Sequence, residues 1–333
     1  MARVTAAPAR RAGLIVNPQA GRANGMGLAL AAKLESQEGV SIRVLEKFQQ
    51  IGPILAVMAR DGVTDLFISS GDGTIQEILT RIAEDAIFPA SLRICLLAHG
   101  TTNLSANDIG FCGRSTEAEA AFIMNPEASG EVIRHTIRCA NPGDGKIRHG
   151  MFVGTGAVAE ATAYCQEAFN KQGVGGQWAV ARTLFTAMRR HLFETPQSGD
   201  QSRFDRPYVI AVEANGRRYA DGQQLLQMST TLEKLALGAR PFWGGNTDPI
   251  RTSILPFPVP SVLRWTLPVM FGGEDRRAPP GAVSFCSRRL QVTSKTRFVI
   301  DGEFFPPPPN GPLQLETGPV FRFLRGRSKH RPD

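Results

Sequence analysis

A short polar block at residues 70–77 has the residue types and the spacing of a phosphate-binding turn. It reads Ser-Gly-Asp-Gly-Thr-Ile-Gln-Glu and directly follows the run Leu66-Phe67-Ile68-Ser69, whose first three residues are apolar. Gly71 and Gly73 permit backbone conformations that other residues avoid, and they let a ligand approach the main chain closely. The N–H groups of such a turn, with the start of a following helix, favour anionic oxygens. An acid at Asp72 does not bind phosphate directly, so we interpret it as a partner of Mg²⁺ or of a polarised hydroxyl, which indicates a nucleotide.

The same block also fits a plain strand-to-helix turn in which Asp72 and Thr74 merely cap the helix. Two further strand-turn-helix patterns favour the ligand site. One covers residues 12–21, and the other covers residues 93–103. Parallel strands bring such turns to one edge of a sheet, where open α/β sheets bind ligands. We therefore expect the three turns to converge.

Four motifs resemble those of the diacylglycerol kinase-like lipid kinases, which include bacterial lipid kinases, sphingosine kinases and ceramide kinases. In chain order they are Asn17-Pro18-x-x-Gly21, Gly71-Asp72-Gly73-Thr74-x-x-Glu77, Gly100-Thr101-x-Asn103 and Val299-Ile300-Asp301-Gly302-Glu303. The resemblance implies an α/β N-terminal domain with a parallel sheet that binds the nucleotide, followed by a mostly antiparallel β-sandwich domain for the lipid. It also implies ATP and Mg²⁺ as cofactors. The implied substrate is the hydroxyl of a membrane lipid such as diacylglycerol, ceramide or a sphingoid base.

The resemblance further implies roles for individual residues. Asp301 is the expected base for the lipid hydroxyl, Glu303 supports the metal or the base, and Asp72 acts through the metal. The expected metal ligands are thus Asp72 and Glu303. The nucleotide is expected to bind residues of the first three motifs, namely Asn17, Gly71, Gly73, Thr74, Glu77, Gly100, Thr101 and Asn103. An Asp-Gly pair also forms tight turns between strands, so a structural role for Asp301 stays open.

Some positions depart from the family pattern. Ser70 stands where many members have a glycine, and Leu104 replaces the usual acid after Asn103. Residues 238–245 stand where a different Gly- and Pro-containing motif is expected. The lipid that is phosphorylated therefore stays open.

Two other classes of function are compatible with parts of the sequence. A soluble-metabolite kinase of the NAD kinase type shares Gly-Asp-Gly-Thr, but the Leu-Gly-Phe-Leu-type element associated with that family is absent. A non-catalytic lipid- or nucleotide-binding regulatory protein does not need Asp301 and Glu303 together. Their joint presence favours an enzyme.

The length of 333 residues predicts two domains. Strand and helix patterns alternate up to about residue 125, and β patterns dominate afterwards. We assign residues 10–128 to the nucleotide-binding domain and residues 129–326 to the lipid domain, with the last strand pattern free to return to the first domain.

Three segments of the second half predict further features. Residues 152–156 read as a Gly-rich turn, residues 177–193 as a basic amphipathic helix over a core or on a membrane, and residues 254–271, with four prolines, as an apolar loop for lipid entry or a buried connection.

The chain carries a net charge of +8 and has a pI near 9.6. No nucleic-acid recognition motif accompanies this charge, so an anionic membrane surface is the expected partner, with a generic basic surface as the alternative. No apolar run approaches the length of a membrane span, and no secretory signal is recognisable. We expect a cytoplasmic protein that associates peripherally with the inner face of the membrane.

The five cysteines lack metal-binding spacing and are expected to be reduced core residues. The sequence does not predict the oligomeric state.

Overall fold

The computed structural model describes residues 10–20, 24–113, 115–126, 130–172, 206–259 and 261–326. These residues form two compact units. Unit 1 contains the described residues up to Ile133 and those from Phe321 onward, and unit 2 is Arg134–Val320. Within the described ranges, no helix combines the length and the apolar character needed to cross a membrane.

Unit 1 is built from alternating strands and helices. They are β1 (Ala12–Val16), α1 (Asn24–Leu34), β2 (Val40–Val44), α2 (Ile51–Arg60), β3 (Asp65–Ser70), α3 (Asp72–Asp85), β4 (Arg93–Ala98), α4 (Leu104–Ile109) and α5 (Thr116–Met124). The strands pair in parallel in the order β2-β1-β3-β4, and residues 322 and 323 near the end of the last strand pair in parallel with β4. Every residue of β1 and β3 is buried, as expected for central strands of a parallel sheet covered on both faces.

Unit 2 is mostly antiparallel. Its elements are β6 (Arg148–Gly150), β7 (Phe152–Gly156), α6 (Ala157–Gln172), β8 (Tyr208–Ala214), β9 (Arg217–Thr230), β10 (Ile250–Pro256), α7 (Val262–Phe271), β11 (Val283–Ser287), β12 (Arg289–Ser294), β13 (Phe298–Ile300) and β14 (Glu303–Phe305), while β5 (Gly130–Cys139) and β15 (Leu313–Arg325) contribute residues to both units. The strands follow the order β14-β13-β7-β9-β8-β12, with β10 on β9 and β11 on β10. Their inward side chains form one apolar core that includes Ile210, Val212 and Phe298. The predicted fold class, a parallel α/β unit followed by a mostly antiparallel β unit, is confirmed.

The prediction of a Gly-rich turn at residues 152–156 is wrong. These residues form β7, which is buried throughout and pairs with β13 on one side and β9 on the other. Pairing on both sides outweighs the weak strand preference of its two glycines, because it satisfies the backbone N–H and C=O groups.

The prediction of an apolar loop at residues 254–271 is also wrong in part. The segment begins as the end of β10 and finishes as the helix α7. Three of its four prolines precede the helix, and only Pro268 lies inside it. One proline removes a single backbone donor, which a short helix tolerates at some cost. The helix predicted at residues 177–193 lies outside the described residues.

The cysteines are free, as predicted, but they are not all core residues. Cys95, Cys139 and Cys286 are buried, whereas Cys112 is exposed.

Candidate active site

The carboxyl ends of β1, β3 and β4 lie side by side because the three strands are parallel neighbours. Val16 is the register partner of Ser69, and Ser70 is that of Ala98. The main-chain N–H of Asn17 donates to the carbonyl of Ser69 over 3.0 Å. The three predicted turns therefore leave the sheet at the same edge, which is the edge where such sheets bind ligands.

The side chain of Asn17 links the first turn to the second. Its Nδ2 donates to Oγ1 of Thr74 over 2.8 Å, and its Oδ1 accepts a hydrogen bond from the N–H of Gln19 over 3.0 Å. Thr74 is buried in the first turn of α3. Asn17 thus fastens the turn after β1 to the start of α3.

Gly71 and Gly100 bring the second and third turns into direct backbone contact. A Cβ atom added to Gly100 would lie 2.5 Å from the Cα of Gly71 and 3.3 Å from its nitrogen. Both contacts involve main-chain atoms, which cannot move aside as a flexible side chain could. Only glycine at position 100 therefore allows this close approach.

Asn103 closes the third turn with its own side chain. Its Oδ1 accepts from the N–H of Gly100 over 2.7 Å, and its Nδ2 donates to the carbonyls of Gly100 at 2.9 Å and Ala98 at 3.2 Å. Its φ of 53° is in the left-handed region, where asparagine is among the better tolerated residues. Asn103 therefore shapes the turn, whereas Thr101, which is half-buried, lies between Gly100 and Asn103 in the chain.

Asp72 is the first residue of α3, and Gly71 precedes it as the N-cap. Its Oδ2 accepts a hydrogen bond from the N–H of Leu104 over 3.3 Å. Leu104 occupies the position where the family pattern has an acid, and here it contributes its main chain to Asp72. The N–H groups of the first turn of α3 have no acceptors within the helix, so this end of the helix has the donors and the dipole that suit phosphate oxygens.

Glu77 lies one turn further along α3. Its Oε1 accepts from Nε of Arg81 over 2.9 Å, and this bond and charge raise the pKa of Arg81. The structure therefore gives Glu77 a salt bridge along the helix.

A buried chain of hydrogen bonds beneath these turns escaped the sequence analysis. Nδ1 of His99 lies 2.7 Å from Oγ of Ser69, and its Nε2 lies 3.0 Å from Oε1 of Glu119. All three residues are at most 2% exposed. Burial first, and then the charge of Glu119, raise the pKa of the Cys95 thiol nearby. The chain ties the ends of β3 and β4 to α5.

In unit 2, Asp301 lies in the tight turn between β13 and β14, with a φ of 47°. Its two carboxylate oxygens accept from the N–H of Met151 at 2.9 and 3.0 Å, and one of them also accepts from the N–H of Phe152 at 2.8 Å. The side chain of Gln166 braces the turn by donating to the carbonyl of Gly302 over 2.6 Å. Hydrogen bonds from main-chain N–H groups favour an ionised carboxylate. Asp301 thus holds the turn through hydrogen bonds from the main chain of residues 151 and 152.

Gly150 lies against the side chain of Asp301 and leaves room for it. A Cβ atom on Gly150 would lie 2.9 Å from Oδ2 of Asp301 and 2.7 Å from Cγ2 of Ile300. Met151 lies between β6 and β7, and its main-chain N–H donates to the carboxylate of Asp301. Burial, and second the charge of Asp301, raise the pKa of the Cys139 thiol.

The predicted metal ligands belong to different units. Asp72 is in unit 1, whereas Glu303 is in unit 2 and is exposed. Across the described ranges, no group of three or more His, Cys, Asp or Glu side chains is arranged to hold a metal ion. Mg²⁺ that arrives with phosphates needs only one or two protein carboxylates. The donors present therefore fit a metal that a nucleotide brings with it.

Residues 11–135 match the family of the diacylglycerol kinase catalytic domain. This part of the chain belongs to that family. The resemblance predicted from the motifs is thereby confirmed at the level of the family. The matched residues include the first three motifs, while Asp301 and Glu303 lie outside them.

Solved structures with the same fold come from Bacillus anthracis str. Sterne. Three of them carry the name diacylglycerol kinase, two provisionally; they are 14%, 16% and 16% identical to this chain, with TM-scores of 0.65, 0.62 and 0.61. Each alignment covers 95% of this chain and 96–97% of the other. At this level of identity the likeness shows the fold. No curated protein is significantly similar in sequence.

The close approach of Gly100 to Gly71 can be tested by substitution in the diacylglycerol kinase catalytic domain. In Gly100→Ala the added methyl group should push the two turns apart, so we expect the Kd for ATP to rise by about 10-fold or more, equivalent to at least about 1.4 kcal/mol. Isothermal titration calorimetry measures this directly. Gly52→Ala is the matched control, because a Cβ atom at Gly52 meets nothing within 4 Å. Equal ATP affinity in the two variants would exclude this contact from the nucleotide site.

The buried chain of Ser69, His99 and Glu119 makes a second prediction. Glu119→Ala should destabilise the protein by about 1–3 kcal/mol, because a buried imidazole N–H loses its acceptor. Glu119→Gln keeps a carbonyl oxygen for His99 and should cost less. Urea unfolding followed by circular dichroism compares the two. If both variants were as stable as the wild type, the hydrogen bond to His99 would contribute nothing to the fold.

Proposed function

We propose that the protein is an ATP-dependent lipid kinase that phosphorylates a hydroxyl group of a membrane lipid such as diacylglycerol, ceramide or a sphingoid base. One observation carries this proposal. Within the diacylglycerol kinase catalytic domain, the turns after β1, β3 and β4 are bonded to one another beside the N-terminus of α3. That arrangement presents main-chain donors and one carboxylate at the edge of a parallel sheet, as transfer of a phosphoryl group requires.

Each turn has a separate part in binding the nucleotide. The N–H groups of Gly71, Gly73 and Thr74 bind phosphate oxygens, because they open α3 and have no acceptors within it. Asn17 and Asn103 keep the neighbouring turns in position through the bonds described above. Asp72 holds Mg²⁺, which neutralises charge on the phosphates when it is bound.

Asp301 is the proposed base. It accepts the proton of the lipid hydroxyl while the N–H groups of Met151 and Phe152 keep its carboxylate in one orientation. A fixed base has little reorganisation to make during the reaction. Glu303, two residues further on and exposed, supports the base or the metal.

The substrate class and the charge of the protein favour action at a membrane surface. Lysine and arginine exceed aspartate and glutamate by 38 to 30, and each basic residue close to an anionic membrane contributes about 1 kcal/mol to binding. We propose that the protein works on the cytoplasmic side and associates peripherally with the inner face of the membrane.

The test is a transfer assay with ATP labelled in the γ-phosphate, Mg²⁺ and separate acceptors: diacylglycerol, ceramide, a sphingoid base and phosphatidylglycerol, each dispersed in detergent. We expect label in at least one lipid and none without Mg²⁺. NAD is included as a soluble acceptor. Label in NAD alone would favour a soluble-metabolite kinase, and ATP binding without any transfer would favour a regulatory protein.

A further inference from the structure

We propose that the outer face of α7, formed by Arg264, Leu267 and Phe271, is the surface that contacts an anionic membrane. This inference rests on the proposed function, since it assumes that the substrate is a membrane lipid. It identifies the part of the protein that contacts the bilayer. Neither the catalytic domain nor the Asp301 turn explains how the protein reaches a membrane.

The two apolar side chains of this face are exposed. Leu267 is 66% exposed and Phe271 is 51% exposed, and Arg264 is exposed as well. At about 100° per residue, positions 264, 267 and 271 fall within an arc of about 60° on an α-helix. They therefore form one continuous stripe in which two apolar groups lie beside a positive charge.

The opposite side of α7 is fixed to the protein. Val269, which lies about 140° to 160° around the helix from the three residues of the stripe, is 6% exposed. The side chain of Arg276 donates to the carbonyl of Val269 and, over 2.6 Å, to the carbonyl of Arg240. The main-chain N–H of Arg240 in turn donates to the carbonyl of Met270 over 2.7 Å. The helix is thus held from its inner side, and its orientation leaves Leu267 and Phe271 in water.

The charge around the stripe favours an anionic bilayer. Residues 249–273 contain no aspartate or glutamate, and Arg264 lies within the stripe. The acids Glu274 and Asp275 come only after the helix has ended at Gly272. Exposed apolar side chains with basic residues and without acids are typical of helices that lie in the membrane interface. A long arginine side chain can keep its charge among lipid headgroups while its stem contacts apolar chains.

Vesicle sedimentation tests the inference with the full-length protein. The vesicles are phosphatidylcholine alone and an equimolar mixture of phosphatidylcholine and phosphatidylglycerol. We expect the wild type to prefer the mixed vesicles and to bind them less at high salt. The double variant Leu267→Gln with Phe271→Gln should partition about 10- to 100-fold less, because two apolar groups no longer leave water. Arg264→Ala should lose about 5-fold on the mixed vesicles only.

The matched control is the double variant Phe48→Gln with Val209→Gln. Phe48 is 51% exposed and Val209 is 63% exposed, close to the values for Phe271 and Leu267, but both lie outside α7. This control should bind vesicles like the wild type. Equal binding by the α7 double variant and the control would overturn the inference, as would a wild type that does not bind the mixed vesicles.

A kinase assay on lipid in detergent micelles separates this inference from the proposed function. The α7 double variant should keep its activity on micelles and lose activity on mixed vesicles. If the wild type transfers no phosphate to any lipid but binds mixed vesicles through α7, the proposed function fails and the membrane surface stands. If lipid in vesicles is phosphorylated equally by the wild type and the α7 variant, the membrane surface is elsewhere and the proposed function stands.

Discussion

Asp301→Asn should lower the kcat for lipid phosphorylation by about 10²- to 10⁴-fold, the range expected when general-base assistance is lost. The KM for ATP should stay nearly the same, because a base contacts the acceptor and not the triphosphate. Steady-state kinetics with saturating lipid in detergent micelles measures both constants. If kcat is intact and only the lipid KM rises, the turn positions the substrate and another group takes the proton.

The structural role of Asp301 requires a control for folding. An amide at this position keeps one oxygen that can accept from the N–H groups of Met151 and Phe152, but it replaces Oδ2, which accepts from Met151 over 2.9 Å, with an NH₂ group that cannot accept. The melting temperature must therefore be measured, and turnover must be assayed well below it. Glu303→Gln is the matched variant, because it removes a neighbouring charge that is exposed. It should also lose activity, and its Mg²⁺ dependence should shift if Glu303 serves the metal.

Asp72→Asn should lower turnover by about 100-fold at limiting Mg²⁺, since even the loss of a group that only orients a metal ligand typically costs about 10- to 100-fold. The fold should survive, because the asparagine retains an oxygen that can accept from the N–H of Leu104. Turnover is measured across a titration of Mg²⁺. Asp85→Asn makes the same change at the other end of α3 and should have little effect. Wild-type activity of Asp72→Asn at limiting Mg²⁺ would reduce Asp72 to a turn residue.

The parts of the fold that sequence reasoning predicted are those with strong local signals. β1, β3 and β4 are continuous apolar runs that end in polar, glycine-containing turns, so both the strands and the parallel sheet could be predicted. The hairpin at Asp301 follows from its Asp-Gly pair. Glycine at position 100 suggested a turn, but its contact with Gly71 depends on the position of a strand far away in the sequence.

The parts that were missed depend on contacts between distant residues. Ser69 and His99 are 30 residues apart and His99 and Glu119 are 20 apart, so no local spacing relates the three. β7 contains two glycines, and its strand pairing on both sides comes from partners that lie elsewhere in the chain. The helix α7 was not predicted because four prolines lie in or near it. The sequence pattern did not show where the helix begins, and three of these prolines come before its first residue.

The pairing of residues 322 and 323 with β4 has a consequence for biosynthesis. The sheet of unit 1 acquires this neighbour from a segment that the ribosome makes about 220 residues after β4. Until then this edge of β4 is covered at its end, where Leu97 pairs with Phe111, and the open part at residues 93 and 94 is a template for aggregation. Unit 1 must therefore wait for the synthesis of unit 2 before its sheet is complete. A gene fragment that ends at residue 135 would encode the matched catalytic domain with this edge permanently open.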